Sequence, residues 1–128
     1  MNTRQTDMNL FNYKRRATVE VAVGDVLIGS AHPVRVQSMT NTPTADTQKS
    51  VEQIKRIADA GAPIVRLMAQ GRREGENLES IVANIREEGY DTAIVADIHF
   101  VPEVAAIAAR YVDKVRINPG NYRLTGGD

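Results

Sequence analysis

A chain of 128 residues and 14.1 kDa is long enough for one domain with a real core and too short for two. Its 16 Lys+Arg balance 16 Asp+Glu, which argues against a nucleic-acid-binding arm, while 42% apolar and 25% charged residues mark a globular rather than a disordered chain. Cysteine is absent, which excludes a disulfide scaffold, a Cys-ligated zinc or iron–sulfur site and a thiol nucleophile within these residues, and the lack of Trp makes the core aliphatic.

Residues 1–16 are polar, end in Lys14-Arg15-Arg16 and lack the apolar stretch of a signal peptide, so they read as a lead-in tail of a cytoplasmic protein. No apolar run approaches the roughly 20 residues that span a bilayer. Two β-branched runs, Val19–Val23 and Val26–Ile28, flank Gly24-Asp25 and predict a β-hairpin. From Pro33 onward, apolar runs alternate with helical spacings. The runs Val34–Met39, Ile64–Met68, Ala93–Ile98 and Val115–Asn118 predict strands. Between them lie a helix over about 46–60 stopped by Gly61, a helix over about 76–88 stopped by Gly89, and a shorter helix opened by Pro102. Arg72-Arg73 with Glu74 and Glu76 reads as a solvated loop and helix start.

A hairpin followed by β-α-β-α-β-α-β means a parallel sheet with right-handed crossovers. An open doubly wound sheet and a (β/α)8 barrel compete, and side-chain alternation favours the barrel. In each strand one parity is apolar: Val34 and Val36, Val65 and Leu67, Val115 and Ile117. The other parity turns polar toward the C-terminal end: Gln37, Arg66, Asp97 with His99, Arg116 with Asn118. That is the inward upper rim of a barrel. A barrel needs eight strands and this chain supplies four, with no closing element in Leu124–Asp128. The fold expected is therefore α/β, the N-terminal half of a (β/α)8 TIM-type barrel preceded by a β-hairpin. Residues 1–16 form the tail, and residues 17–128 form the hairpin plus the first four strands of a longer protein. The half barrel is expected to expose Ile64, Met68 and Val95 on its inward face.

In a parallel sheet the polar clusters Gln37–Thr42, Arg66, Asp97 with His99, and Arg116 with Asn118–Asn121 share one edge. Two convergent arginines suit an anionic ligand, because the guanidinium fork matches phosphate bidentately. His99 suits donation to a phosphate oxygen or proton transfer. Asp97 would repel phosphate, and either accepts from a hydroxyl or orients His99 or an arginine. Each feature has an ordinary structural counterpart: a rim ion pair for the arginines, a helix cap or a metal ligand pair for Asp-x-His. The convergence of four strand ends is what singles out the pocket.

The motifs Val36-Gln-Ser-Met-Thr-Asn-Thr42, Ile64-Val-Arg66, Val95-Ala-Asp-Ile-His-Phe100 and Arg116-Ile-Asn-Pro-Gly-Asn121, in this order and spacing, resemble the N-terminal barrel portion of the 4-hydroxy-3-methylbut-2-enyl diphosphate synthase family (IspG or GcpE). Gln70-Gly-Arg-Arg-Glu74 resembles the family's long form, which carries an inserted domain. Ala62-Pro63 and Leu67-Met68 depart from its usual residues without touching the polar rim. The resemblance implies an oxidoreductase of non-mevalonate isoprenoid biosynthesis that reductively opens 2-C-methyl-D-erythritol 2,4-cyclodiphosphate to 4-hydroxy-3-methylbut-2-enyl diphosphate. It implies that Arg66, His99, Arg116 and Asn118 contact the diphosphate, with Asp97 beside them, and it names no catalytic residue within this fragment beyond orienting or proton-transfer roles for Asp97 and His99. It further implies a [4Fe–4S] cluster bound outside this fragment, ferredoxin or flavodoxin as electron donor, a homodimer, no nucleic-acid or membrane partner, and inactivity of the fragment alone. Two other readings stand beside it: a pterin-binding-synthase-like barrel enzyme, and a non-catalytic half-barrel binding module.

Overall fold

The computed structural model describes residues 14–120. Two antiparallel strands come first, β1 (Val21–Val23) and β2 (Val26–Ile28), with Val21 opposite Ile28 and Val23 opposite Val26. The turn between them places Gly24 at φ +57°, and a Cβ there would stand 2.9 Å from Asp113 Oδ1. Glycine is thus required both by the left-handed backbone and by the close approach of a carboxylate.

The remaining elements alternate: β3 (Gln37–Met39), α1 (Thr47–Asp59), β4 (Ile64–Ala69), α2 (Arg72–Glu87), β5 (Ala93–Ile98), α3 (Pro102–Ala108) and β6 (Lys114–Ile117). β3 to β6 form one parallel sheet in sequence order. Such consecutive parallel pairing requires each helix to cross over on the sheet's face. Asp46 caps α1, its Oδ1 accepting from the Lys49 N–H at 3.1 Å, and Gly61 at φ +105° ends it.

The parity of the strands divides the core in two. Val65, Leu67 and Ala69 of β4 and Ile94, Ala96 and Ile98 of β5 face the helices, where they pack with Ile54, Leu78, Ile81, Ile85 and Val104. All of these are essentially solvent-free, and each fully buried branched aliphatic side chain contributes about 1.5–3 kcal/mol. Gly75 lets α2 approach α3 closely, since a Cβ would meet Val104 Cγ1 at 3.0 Å. On the opposite face Ile64, Ala93 and Val95 pack with Val23, and Val26 and Ile28 flank them.

This second cluster corrects one expectation. Ile64 and Val95 do not face water: they are 4% and 0% exposed, because the β1–β2 hairpin lies over them. Met68, farther along β4, is half-buried. Two boundaries also differ. The first strand of the sheet begins at Gln37, not Val34, and Val34 and Val36 are 84% and 62% exposed. β4 begins at Ile64, directly opposite Gln37, so residues upstream of Gln37 have no ladder partner there. The second helix begins at Arg72, one turn before the apolar periodicity. Its N-cap is Gly71, which makes no side-chain capping bond, so no Ser/Thr/Asp signal marks the start. Arg72 is held instead by an i,i+4 pair with Glu76, Nε to Oε1 at 2.8 Å. The tail expected over 1–16 falls outside the described residues except for Lys14 to Arg16, as does the chain after Gly120.

Candidate anion-binding site

The sheet register assembles the site. Met39 aligns with Arg66 and Arg66 with Val95, while one row higher Met68 aligns with Asp97 and Asp97 with Arg116. Aligned residues of parallel strands share a face, so Arg66, Asp97 and Arg116 all stand on the hairpin side of the sheet, above the aliphatic cluster. His99 continues the parity of Asp97 just past the end of β5.

Asp97 is the centre of the group. Its side chain is 4% exposed, and three cationic or potentially cationic side chains surround it. Arg116 Nη1 donates to Oδ1 at 3.0 Å. Arg66 Nε stands 3.4 Å from Oδ2, and His99 Nε2 stands 3.6 Å from the same oxygen. A buried carboxylate is tolerated only when paired, and the two guanidinium groups overcompensate it. Whatever the state of His99, two fixed positive charges face one negative charge.

The pairing leaves donors unused. Arg66 Nε and His99 Nε2 are buried without a hydrogen-bond partner, and Arg66 Nη2 has only the thioether of Met39 at 3.5 Å. Among the described residues the other buried side-chain polar atoms lacking a partner are Thr40 Oγ1 and Thr42 Oγ1, in the loop that follows β3. All four lie at the C-terminal edge of the sheet. Buried polar groups are ordinarily satisfied, so the unpartnered nitrogens of Arg66 and His99 mark where a ligand's acceptors fit, while the two hydroxyls, able to donate or accept, are not tied to that ligand.

The residues singled out from the sequence are distributed as follows. Arg66, Asp97, His99 and Arg116 come together. Asn118 lies at the same edge, directly after β6, but its Oδ1 accepts from the Gly120 N–H at 3.1 Å and, among the described residues, its side chain makes no hydrogen bond to the Asp97 group. Asn121 lies outside the described residues. Arg72 and Arg73 sit in the first turn of α2, Arg72 with a 75% exposed side chain, away from the cluster. The Glu76 carboxylate raises the Arg72 pKa further above its ordinary value. Sequence reasoning missed Gln53. From α1 its Oε1 accepts from the N–H groups of Asn41 and Thr42 at 2.9 and 3.1 Å, and its Nε2 donates to Asn41 Oδ1 at 2.6 Å. This one amide fixes the loop after β3. No signal in the sequence marks this role, since a glutamine between Val51 and Ile54 reads as an ordinary helix residue.

Residues 18–125 match the family described as the GcpE TIM-barrel domain. Among curated proteins, the chain is 58% identical over 115 residues to the 4-hydroxy-3-methylbut-2-en-1-yl diphosphate synthase (flavodoxin) of Phocaeicola vulgatus, covering 90% of this chain and 19% of that protein. It is 50% identical over 112 residues to the protein of the same name from Leptospira interrogans, covering 88% and 17%. It is 45% identical over 114 residues to the 4-hydroxy-3-methylbut-2-en-1-yl diphosphate synthase (ferredoxin), chloroplastic, of Oryza sativa, covering 89% and 15%. The chain thus spans about a fifth or less of the length of the curated relatives it matches.

Proposed function

The chain belongs to the GcpE TIM-barrel domain family, and from that premise we propose that it forms the substrate-binding barrel part of a hydroxymethylbutenyl diphosphate synthase, an oxidoreductase of the non-mevalonate isoprenoid route. The substrate is 2-C-methyl-D-erythritol 2,4-cyclodiphosphate, which the whole enzyme opens reductively to 4-hydroxy-3-methylbut-2-enyl diphosphate. The strands β3 to β6 form half of an eight-stranded barrel, and the β1–β2 hairpin is its floor. The observation that carries this reading is the surplus of guanidinium charge around a single buried carboxylate at the C-terminal edge of the strands.

Each residue has a defined task. Arg66 and Arg116 present their free N–H groups to the diphosphate oxygens, a geometry the planar fork matches. His99 donates to a phosphate oxygen or carries a proton. Asp97 holds both arginines in place and accepts from a substrate hydroxyl. Asn118, on the loop after β6, supplies a short polar group at the pocket wall. The strand ends hold these side chains on a rigid sheet, with aliphatic packing below that excludes water.

A [4Fe–4S] cluster, which this family implies, is held by thiolates. This chain has no cysteine, and among the described residues no three His, Asp or Glu side chains stand together as a metal site. These residues do not fit a cluster, and their work is confined to binding and orienting the substrate. The cluster belongs to another part of the whole protein, with a flavodoxin or ferredoxin as electron donor. The whole protein acts as a cytoplasmic homodimer. Among the described residues no helix is long and apolar enough to cross a membrane.

The test is calorimetric titration of the cyclic diphosphate into the complete gene product and its Arg116→Ala variant, beside turnover with a chemical reductant. Binding that weakens roughly tenfold or more in the variant supports the assignment. Unchanged affinity overturns it.

A further inference from the structure

Beside the cationic cluster, between the loop after β3 and the start of α2, lies a cleft of about 250 Å³ lined by Thr40 to Ala45, Met68, Gln70 and Glu74. None of Arg66, Asp97, His99 or Arg116 lines it. Its polar groups are of the opposite kind to theirs. We propose that this cleft is a separate binding site for an alkylammonium or guanidinium group, held by the Glu74 carboxylate and the hydroxyls of Thr40 and Thr42.

Three observations converge on that chemistry. Thr40 is 7% exposed and its hydroxyl has no hydrogen-bond partner, and the Thr42 hydroxyl is likewise buried and unpartnered. A hydroxyl can donate or accept, so the neighbours decide what it meets. The backbone donors beside these two hydroxyls are already taken: the Thr40 N–H donates to the Arg66 carbonyl at 3.0 Å, and those of Asn41 and Thr42 donate to Gln53. An anion at the two hydroxyls would therefore find no free N–H on the residues that carry them. Meanwhile Glu74, half-buried in the first turn of α2, brings a carboxylate that no Lys, Arg or His pairs with among the described residues. A carboxylate and two free hydroxyls offer acceptors only a multiple donor can satisfy, and an ammonium or guanidinium supplies three to five N–H groups and the compensating charge. Glu74 also stands three residues after the N-cap Gly71, a place where a carboxylate favours the helix start. That role explains its position but leaves the two orphaned hydroxyls unexplained. The proposal is independent of the diphosphate assignment.

The cation comes either from a free ligand or from a basic side chain of the complete protein, and the experiment separates the two. The probe is ethylguanidinium, with neutral ethylurea as its control, titrated into the complete gene product followed by methyl NMR of the threonines. For a free ligand, ethylguanidinium binds and shifts Thr40 and Thr42, ethylurea does not, Glu74→Gln weakens binding tenfold or more, and Thr40→Val weakens it about threefold. For an internal side chain, the wild-type protein excludes the probe, and Glu74→Gln makes one Arg or Lys newly reactive toward phenylglyoxal or an acetylating reagent. Glu74→Asp, which keeps the charge and a favourable helix start, guards against a variant that merely fails to fold: it retains either signature in part. Equal probe binding by the wild-type and Glu74→Gln proteins overturns the proposal. So does an excluded probe with no residue unmasked.

Discussion

Replacing Asp97 by Asn removes a charge without changing shape, and its consequences run in opposite directions for stability and for anion binding. In the folded protein the Asp97 carboxylate, 4% exposed, accepts a charge-assisted bond from Arg116 at 3.0 Å and attracts Arg66 from 3.4 Å. A bond of that kind is worth about 1.5–3 kcal/mol. The arginine side chains are 30% and 41% exposed, so solvent screening lowers the expected loss to about 1–2 kcal/mol. The same carboxylate opposes an incoming phosphate. At roughly 5 Å and an effective dielectric near 20 the repulsion is about 3 kcal/mol per charge. Part of that gain is offset because Asn holds the two guanidinium groups less firmly. The net expectation is roughly tenfold tighter binding of inorganic pyrophosphate, with slower turnover of the cyclic diphosphate because a hydroxyl acceptor is weakened. Thermal unfolding and calorimetric titration of pyrophosphate into the complete gene product measure both effects. A loss of pyrophosphate affinity as large as that of Arg116→Ala would refute the reasoning, since it would make Asp97 an organiser whose charge is irrelevant.

Arg66→Ala and Arg116→Ala are each expected to weaken diphosphate binding by about tenfold to a hundredfold, and Arg72→Ala to leave it within about twofold, because an exposed ion pair contributes about 0–1 kcal/mol. Equal losses in a side-by-side titration would show that strand parity has been misassigned. Arg86 donates to the carbonyls of Tyr90 and Thr92 at 2.9 and 2.8 Å and to Asp113 at 3.0 Å, while Asp113 also accepts from the Ile94 N–H at 2.8 Å. Arg86→Ala should therefore destabilise the fold by about 1–3 kcal/mol in a denaturant titration without moving anion affinity. The Tyr90 phenol donates to Asp59 at 2.8 Å, and this bond raises its pKa above 10.0, helped by a small desolvation. Because the folded value is the higher one, the contact stabilises below about pH 10 and is lost as pH rises through the folded value. Tyr90→Phe should accordingly flatten the decline of stability on the alkaline side, and an unchanged pH profile would remove the bond from consideration.

The strand parities were readable because a period of two needs only local sequence: Val65 against Arg66 and Ala96 against Asp97 differ in polarity as plainly in the chain as in the sheet. Helix stops at Gly61 and Gly89 were equally local. Long-range placement was not readable. Val19–Ile28 carries a hairpin signal, yet nothing within it tells that Val23 docks on Ile64 and Val95, so those two side chains looked uncovered. The start of the sheet's first strand was misread at Val34 because β-branched composition does not reveal register; only the opposition of Gln37 to Ile64 does. At the site the residue types announced an anion, but the sequence could not decide which cation Asp97 serves. The geometry gives it all three, with one close bond and two longer contacts. Gln53 was invisible for the same reason: an amide on a helix carries no signal until the loop it grips is known.

The hairpin beneath the rim has a kinetic consequence. Val23, Ile64, Ala93 and Val95 make a slab of low polarizability directly under two fixed guanidinium charges. Field lines entering such a slab are refracted back toward the open side, so the potential of Arg66 and Arg116 projects outward through the mouth rather than dissipating through the far side. An anion is then drawn from solution before any contact forms. Its association rate should fall steeply as ionic strength rises, while its dissociation rate, set by short-range bonds, changes little.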